Sequence, residues 1–329
     1  MFYTLQGRWT AEIGDGKTYH MELPGTLDEN HIGHRDTGAN QWHPDGDLGN
    51  GNGTSGTGII ETRFTRKYTY EGEARLTRKL EGELWESLKK SVTDGKRIFL
   101  EAERARALRL LVDGKEVLPV KESSISTPWI FEVTGLLRKG SILTLLSDNS
   151  YPGLPHDDIV YSSAATDETQ TNWNGVLGRL GFRTENRVFL DNVRVYPWGK
   201  FLTVKMDVYA DVPWEGTVRV FSEDLQGEAR QQVKVPEGVT EVIFEKLPLA
   251  EHVRFWDLEE GNLYRLSVSL AGGEESPVTF GVRQFGDDGQ GRLALNGRRI
   301  FLRGEVNCGE FPETGHPPMT VGEWKDILE

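Results

Sequence analysis

The chain of 329 residues contains one cysteine, Cys308, which rules out a disulfide framework within it. Long apolar runs are also missing. The opening Met1-Phe2-Tyr3-Thr4-Leu5-Gln6-Gly7 has no basic region followed by an apolar stretch, so no secretion signal is read there. No stretch reaches the length and apolarity of a membrane span. The expected compartment is therefore the cytoplasm. A basic excess is absent too: 38 Lys and Arg face 51 Asp and Glu, for a net charge of -13. A nucleic-acid partner needs a basic face to neutralise phosphates, and none is visible. Arg104 to Arg109 alternate with Ala and Leu and read as solvated strand positions. Helical periodicity is scarce, with only Glu83 to Val92 showing it before residue 320.

What is present is β-sheet. The length suits two domains or a little more, and 37% hydrophobic residues suffice for a core in each. The 38 glycines fit many tight turns. Ile59 to Tyr70, Arg97 to Glu103, Ala107 to Val112, Val117 to Val120 and Ile142 to Leu146 carry strand signals. Asp113-Gly114 predicts a tight hairpin, because both residues tolerate positive φ. A second series begins near Arg187. Val188–Tyr196, Phe201–Tyr209, Gly216–Phe221, Gln231–Val235, Glu241–Phe244, Leu263–Leu270 and Val278–Val282 recur at short intervals. About seven short strands in about 100 residues is the pattern of an immunoglobulin-like sandwich.

After Phe285 the pattern changes. Asp287 to Gly291 form an acidic, glycine-rich turn, and Leu295-Asn296-Gly297 turns back into Ile300-Phe301-Leu302. Thr320 with Glu323 three residues on predicts a capped helix over Val321 to Leu328. A strand, a long loop and a helix form one βα unit, which cannot bury its own apolar face. The expectation is that the natural protein continues past Glu329.

Several constellations invite a functional reading. Gly51-Asn52-Gly53-Thr54-Ser55-Gly56 spells GxGxxG, but no strand precedes it and a strand-like run follows it, so it reads as a loop. His31, His34, His43 and Asp36 lie on a loop without convergent ligand spacing, and His156-Asp157-Asp158 reads as a solvated turn. No metal ligand is assigned. Cys308 has no recognisable base and reads as structural. The richest polar cluster is Thr169-Gln170-Thr171-Asn172-Trp173-Asn174-Gly175. Amides bond sugar hydroxyls and an indole covers the apolar face of a sugar ring. The other reading is a buried Trp with Asn side chains closing turns.

Taken in order, these segments resemble glycoside hydrolase family 2. Leu23-Pro24-Gly25-Thr26-Leu27-Asp28 resembles the LPGT opening. Tyr70-Glu71-Gly72-Glu73-Ala74 with Arg78 is similar to the G-x-A strand, and Leu111-Val112-Asp113-Gly114-Lys115 to the V-N-G-K hairpin. Asn172-Trp173-Asn174-Gly175-Val176 resembles the W-x-G-I/V element. Trp256 with Asn262-Leu263-Tyr264 is similar to the W…P-N-L-Y stretch, without its Pro. Phe280-Gly281-Val282-Arg283 and Leu295-Asn296-Gly297…Phe301-Leu302-Arg303-Gly304 resemble the signature that leads into the first barrel strand.

The resemblance implies an all-β fold in three parts. These are a jelly-roll sugar-binding sandwich over 1–185, an immunoglobulin-like sandwich over 186–283, and the first βα unit of a truncated TIM barrel over 284–329. It implies a retaining exo-β-glycosidase whose two catalytic glutamates lie beyond Glu329, so no catalytic residue is assigned here and the chain alone is expected to be inactive. Asp167, Glu168, Asn172, Trp173 and Asn174 would shape the sugar pocket, and Arg303, Glu305 and Asn307 would stand at the start of the barrel. Thr169 occupies the place where many members carry an acid, so either Asp167 or Glu168 replaces it or the substrate contact differs. Cys308 and Phe311 stand where several relatives have His-rich loops. The implied partners are a carbohydrate and the rest of the barrel, with no nucleic acid, membrane or cofactor. A structural calcium or sodium ion and a homo-oligomer are left open. A non-catalytic carbohydrate-binding or adhesion protein built of sandwiches is the alternative.

Overall fold

The computed structural model describes residues 1–35, 68–154, 172–271, 273, 275–304 and 316–329. It divides into two compact units, Met1–Thr184 with Val306–Glu329, and Glu185–Glu305.

In the first unit the strands are β1 (Phe2–Thr4), β2 (Gly7–Glu12), β3 (Tyr19–Leu23), β4 (Gly25–Thr26), β5 (His34–Arg35), β6 (Tyr68–Thr69) and β7 (Glu73–Lys79). Helix α1 (Gly82–Thr93) follows, then β8 (Arg97–Ala102), β9 (Ala107–Val112), β10 (Lys115–Val117), β11 (Trp129–Glu132), β12 (Ile142–Asp148), β13 (Gly175–Val176) and β14 (Leu180–Glu185). A four-stranded sheet in the order β1-β14-β8-β11 and a six-stranded sheet in the order β10-β9-β12-β7-β2-β3 share one core. Leu100, Phe131 and Phe182 enter it from the first sheet, and Leu76, Leu110 and Leu145 from the second. Alternation on β9 makes this work: Leu108, Leu110 and Val112 are buried while Arg109 faces water. The β9–β10 hairpin turns through Asp113 and Gly114, whose φ values of 50° and 80° give the expected primed turn. The stretch Arg104–Arg109 is a correction, because Arg106 is buried rather than solvated.

Strand β8 is covered on both sides. Ile98, Leu100 and Ala102 face the core. On the other side Arg97 and Arg183 lie over the Phe99 ring, at 5.1 and 4.9 Å from its centroid. Glu101 accepts from Arg179 at 2.7 Å and also from Arg183. The aliphatic and planar parts of these arginines bury Phe99 while their charges are met by Glu101 and Glu132.

The second unit contains β15 (Val188–Trp198), β16 (Phe201–Ala210), β17 (Trp214–Phe221), β18 (Ala229–Val235), β19 (Gly238–Pro248), β20 (Tyr264–Leu270) and β21 (Glu275–Phe280). A sheet of order β15-β16-β19 and a sheet of order β18-β17-β20-β21 form an antiparallel sandwich. Val204, Met206 and Val208 alternate into the core from β16, opposite Val218, Val220, Leu266 and Val268 from the other sheet. These seven strands match the seven runs expected from the sequence to within a few residues at each end.

A small meander follows, made of β22 (Phe285–Asp287), β23 (Leu293–Leu295) and β24 (Arg298–Arg299). Asn296, with φ of 51°, turns it together with Gly297. The Asn296 side chain donates to the Trp256 carbonyl at 2.9 Å and accepts from the Gln284 amide at 2.9 Å. The Trp256 amide donates to the Val282 carbonyl at 2.8 Å, so three of the motifs noted in the sequence meet at one point. The strand expected through Ile300–Leu302 ends instead at Arg299, and residues 300–304 have no regular structure. The Ile300 amide still donates to the Leu293 carbonyl of β23 at 2.9 Å, but among the described residues no strand pairs with 301–304. In the first unit, helix α2 (Val321–Leu328) has the expected capping box, with Thr320 accepting from the Glu323 amide and Glu323 bonding back to the Thr320 amide. No helix among the described residues is long and apolar enough to cross a membrane.

Candidate functional site

The LPGT and NWNG segments meet in the first unit. β4 and β13 pair antiparallel, Gly175 against Thr26 and Val176 against Gly25. The Leu27 amide adds a bond to the Asn174 carbonyl at 2.9 Å. Gly175 has φ of +132°, and a Cβ there would lie 2.3 Å from the Gly25 carbonyl oxygen. Only glycine permits this approach.

Three buried polar side chains fasten the crossing. Asn149 donates to the carbonyls of Tyr70 at 2.9 Å and Asn172 at 2.8 Å, and accepts from the Gly72 amide at 2.9 Å. Asn174 donates to the Gly72 carbonyl at 2.7 Å and accepts from the Ser147 hydroxyl at 2.7 Å. The Asn172 amide donates to the Asn149 carbonyl at 3.2 Å. These bonds satisfy backbone groups of loops that no sheet ladder reaches.

Trp173 lies beneath a cation. Arg106, 7% exposed, places its guanidinium 4.8 Å from the centre of the indole and donates from Nε to the Trp173 carbonyl at 3.0 Å. Its Nη1 donates to the Tyr151 hydroxyl. A guanidinium enters a protein interior only when its donors and its charge are met, and here a carbonyl, a phenol and two aromatic faces contribute. Trp173 is 5% exposed, and among the described residues its buried indole N–H has no acceptor.

A second cluster ties residues 287 positions apart. Thr26 donates to Glu29 Oε2 from its amide at 2.9 Å and its hydroxyl at 3.0 Å, while the Glu29 amide bonds back to the hydroxyl at 3.0 Å. The other carboxylate oxygen lies 3.2 Å from Nε2 of His316, whose Nδ1 is 2.8 Å from the Pro317 carbonyl. Burial by itself would raise the Glu29 pKa and lower that of His316. Their hydrogen bond, with those from Thr26 and to Pro317, outweighs burial, so Glu29 titrates below its ordinary range and His316 above its own. Glu323 also faces His316 and adds to its upward shift.

Of the site residues expected from the sequence, Asn172, Trp173 and Asn174 come together here, and all three are buried. Arg303 lies in the second unit, in the exposed irregular stretch after β24. Asp167, Glu168, Glu305 and Asn307 fall outside the described residues, as do Cys308, His43, His156 and the GxGxxG run. His31 stacks on Tyr68 with ring centres 5.2 Å apart, and His34 is exposed on β5. The sequence reading missed Arg106, Asn149, Glu29 and His316. A signal existed for Glu29, which stands three residues after Thr26 in capping-box spacing. Nothing local marked the other three.

No family model matches the chain. A β-galactosidase of Vibrio vulnificus is 30% identical over 121 residues, covering 35% of this chain and 11% of that enzyme. Among solved structures, a β-glucuronidase of Bacteroides uniformis superposes with a TM-score of 0.68 at 17% identity, covering 100% of this chain and 38% of that one. A GH2 β-galacturonidase of Eisenbergiella tayi, bound to galacturonate, gives a TM-score of 0.60 at 18% identity, covering 91% and 46%. The chain is therefore GH2-like in fold, and it spans less than half the length of each of these proteins.

Two outcomes follow from the geometry. Asn149→Asp removes the amide that serves two carbonyls and puts a carboxylate against them, so at pH 7.5 it should cost about 3 kcal/mol or more in urea unfolding. A loss below about 1 kcal/mol would contradict the network. For the Glu29–His316 pair the signs differ. The stabilisation from Glu29, whose pKa is lowered on folding, is present above about pH 4.3 and fades as pH falls. That from His316, whose pKa is raised, is complete below about pH 6.5 and is lost as pH rises through the folded value. Hydrogen exchange of the 316–329 amides should be slowest between about pH 4.3 and 6.5, after correction for intrinsic rates. His316→Gln should abolish that optimum; an unchanged profile would show that the pair does not hold the segment.

Proposed function

We propose that this chain is the non-catalytic front part of a retaining exo-β-glycosidase of glycoside hydrolase family 2. The observation that carries the reading is the fold: over its whole length the chain superposes on an enzyme of that kind, and the sequence motifs of the resemblance occur in the same order. In this reading residues 284–329 begin the catalytic barrel. The acid/base and nucleophile are two glutamates beyond Glu329, about 5 Å apart, at the ends of later barrel strands.

The first sandwich then supports the sugar pocket. Asp167 and Glu168 help shape that pocket, and Asn172, Trp173 and Asn174 hold the chain that follows them. Their burial favours this supporting role over direct stacking of a sugar on the indole face. Arg303, Glu305 and Asn307 contribute from the opening of the barrel. The relatives act on neutral and acidic sugars alike, to judge by a β-galactosidase and a β-glucuronidase, so the fold alone selects neither.

The test compares the 329-residue chain with the longer natural protein on aryl β-galactoside, β-glucuronide, β-galacturonide and β-mannoside. The longer protein should hydrolyse at least one with retention of configuration, and the chain alone none. Aglycone release by the chain alone, or silence of the folded longer protein on the whole panel, would overturn the proposal.

A further inference from the structure

In the first unit a run of bonds reaches from the sheets to the far end of the chain. Residues 316–329 contain a single buried residue, His316, which is 5% exposed, and α2 within them buries none of its side chains. Nε2 of His316 lies 3.2 Å from Glu29 Oε1. Glu29 is itself fixed, because its other oxygen accepts from the amide and the hydroxyl of Thr26. Thr26 is 1% exposed and pairs with Gly175 in the β4–β13 ladder, one residue from Asn174. The bonds therefore run without a break from His316 to the NWNG crossing.

Both ring nitrogens of His316 face oxygen acceptors. Nε2 meets the Glu29 carboxylate and Nδ1 meets the Pro317 carbonyl at 2.8 Å. A neutral imidazole has one N–H and would turn a lone pair against one of these oxygens; only the imidazolium donates to both. Two carboxylates balance that charge. Among the described residues the charged groups that face His316 are Glu29, from the turn after β4, and Glu323, from the first turn of α2. Glu323 caps that helix, accepting from the Met319 amide at 3.0 Å and the Thr320 amide at 2.8 Å. The imidazolium is thus drawn to the sandwich on one side and to the capped end of α2 on the other.

We infer that His316 and Glu29 are positioning residues for the sugar pocket, a proton-dependent clamp that seats the opening of the catalytic domain on the first sandwich. This rests on the proposed glycosidase reading, in which 284–329 begin that domain and Asn172, Trp173 and Asn174 support the pocket. Both residues act through Thr26 and the crossing rather than on the sugar. The clamp is closed while the imidazolium and the carboxylate coexist. The Glu29 carboxylate is lost only below its ordinary range, and the His316 charge persists above its own. As pH rises through the folded value of His316, one of its two hydrogen bonds and the attraction to both carboxylates are lost, and the domain is held less firmly over the pocket. Misplacement of about 1 Å can cost an enzyme about 100-fold in rate.

The test measures kcat and KM of the longer natural protein, of H316Q, of E29Q and of the double variant, from about pH 4.5 to about pH 9, on the aryl glycoside that the natural protein hydrolyses fastest. H316Q should lower kcat/KM at least about tenfold near pH 6. The ratio of natural to H316Q kcat/KM should be largest below about pH 6.5 and shrink toward one at higher pH, where the natural His316 is neutral as well. Titration of the proposed general acid is common to both proteins and cancels in that ratio. E29Q should lose as much as H316Q, and the double variant no more than either, because one link is broken in all three. If H316Q does not fold, E29Q carries the same comparison. A ratio that stays constant with pH, losses that multiply in the double variant, or variants as active as the natural protein would overturn this inference and leave the glycosidase reading standing. A folded natural protein that hydrolyses no glycoside would overturn both.

Discussion

The first unit depends on a two-residue ladder. Gly25-Thr26 and Gly175-Val176 meet so closely that one backbone occupies the space a side chain would need on the other. Backbone groups at such a crossing lie outside the main sheets and still need partners. Asn149, Ser147 and Asn174 supply them from the end of β12 and from the NWNG segment itself. The surrounding features branch from this crossing. Thr26 organises Glu29, which holds His316 and with it the segment leading to α2, and α2 itself buries none of its residues. The Trp173 carbonyl anchors Arg106.

The same unit shows how a predominantly acidic protein packs arginines against aromatic rings and carboxylates. Arg106 is met by a carbonyl, a phenol and two ring faces. Arg97, Arg179 and Arg183 are spread over the outer face of β8, where two carboxylates and the Phe2 and Phe99 rings receive them. Planar, delocalised guanidinium suits both uses, because it stacks and donates at once. An ammonium in the place of Arg106 would lose the stacking and the fixed fork of donors, so lysine would not be an equivalent replacement there.

What could be read from the sequence was local. The strands of the second unit follow alternation that any pleated, half-buried strand must have, and β16 shows it over ten residues. The Asp113-Gly114 turn and the Thr320–Glu323 cap each depend on residues within three positions of one another. The resemblance added the order of the motifs and the sandwich architecture. Contacts set by tertiary distance were not legible. Arg106 sits between alanines in an alternating stretch, and its burial is decided by a Trp 67 positions away. His316 finds Glu29 across 287 positions. The strand expected through Phe301 and Leu302 fails for a related reason: apolar composition marks a candidate strand, but a strand exists only where another lies beside it.

The account of the first unit depends on its being locked at the Gly25–Gly175 crossing. The most direct measurement is urea unfolding of Gly175→Ala. Strain at a positive φ and a clash with a backbone oxygen should together cost about 3 kcal/mol or more and should expose the Trp173 environment to quenchers. A stability within about 1 kcal/mol of the natural chain, with Trp fluorescence unchanged, would mean that the crossing is not the constraint on which this end of the protein is built.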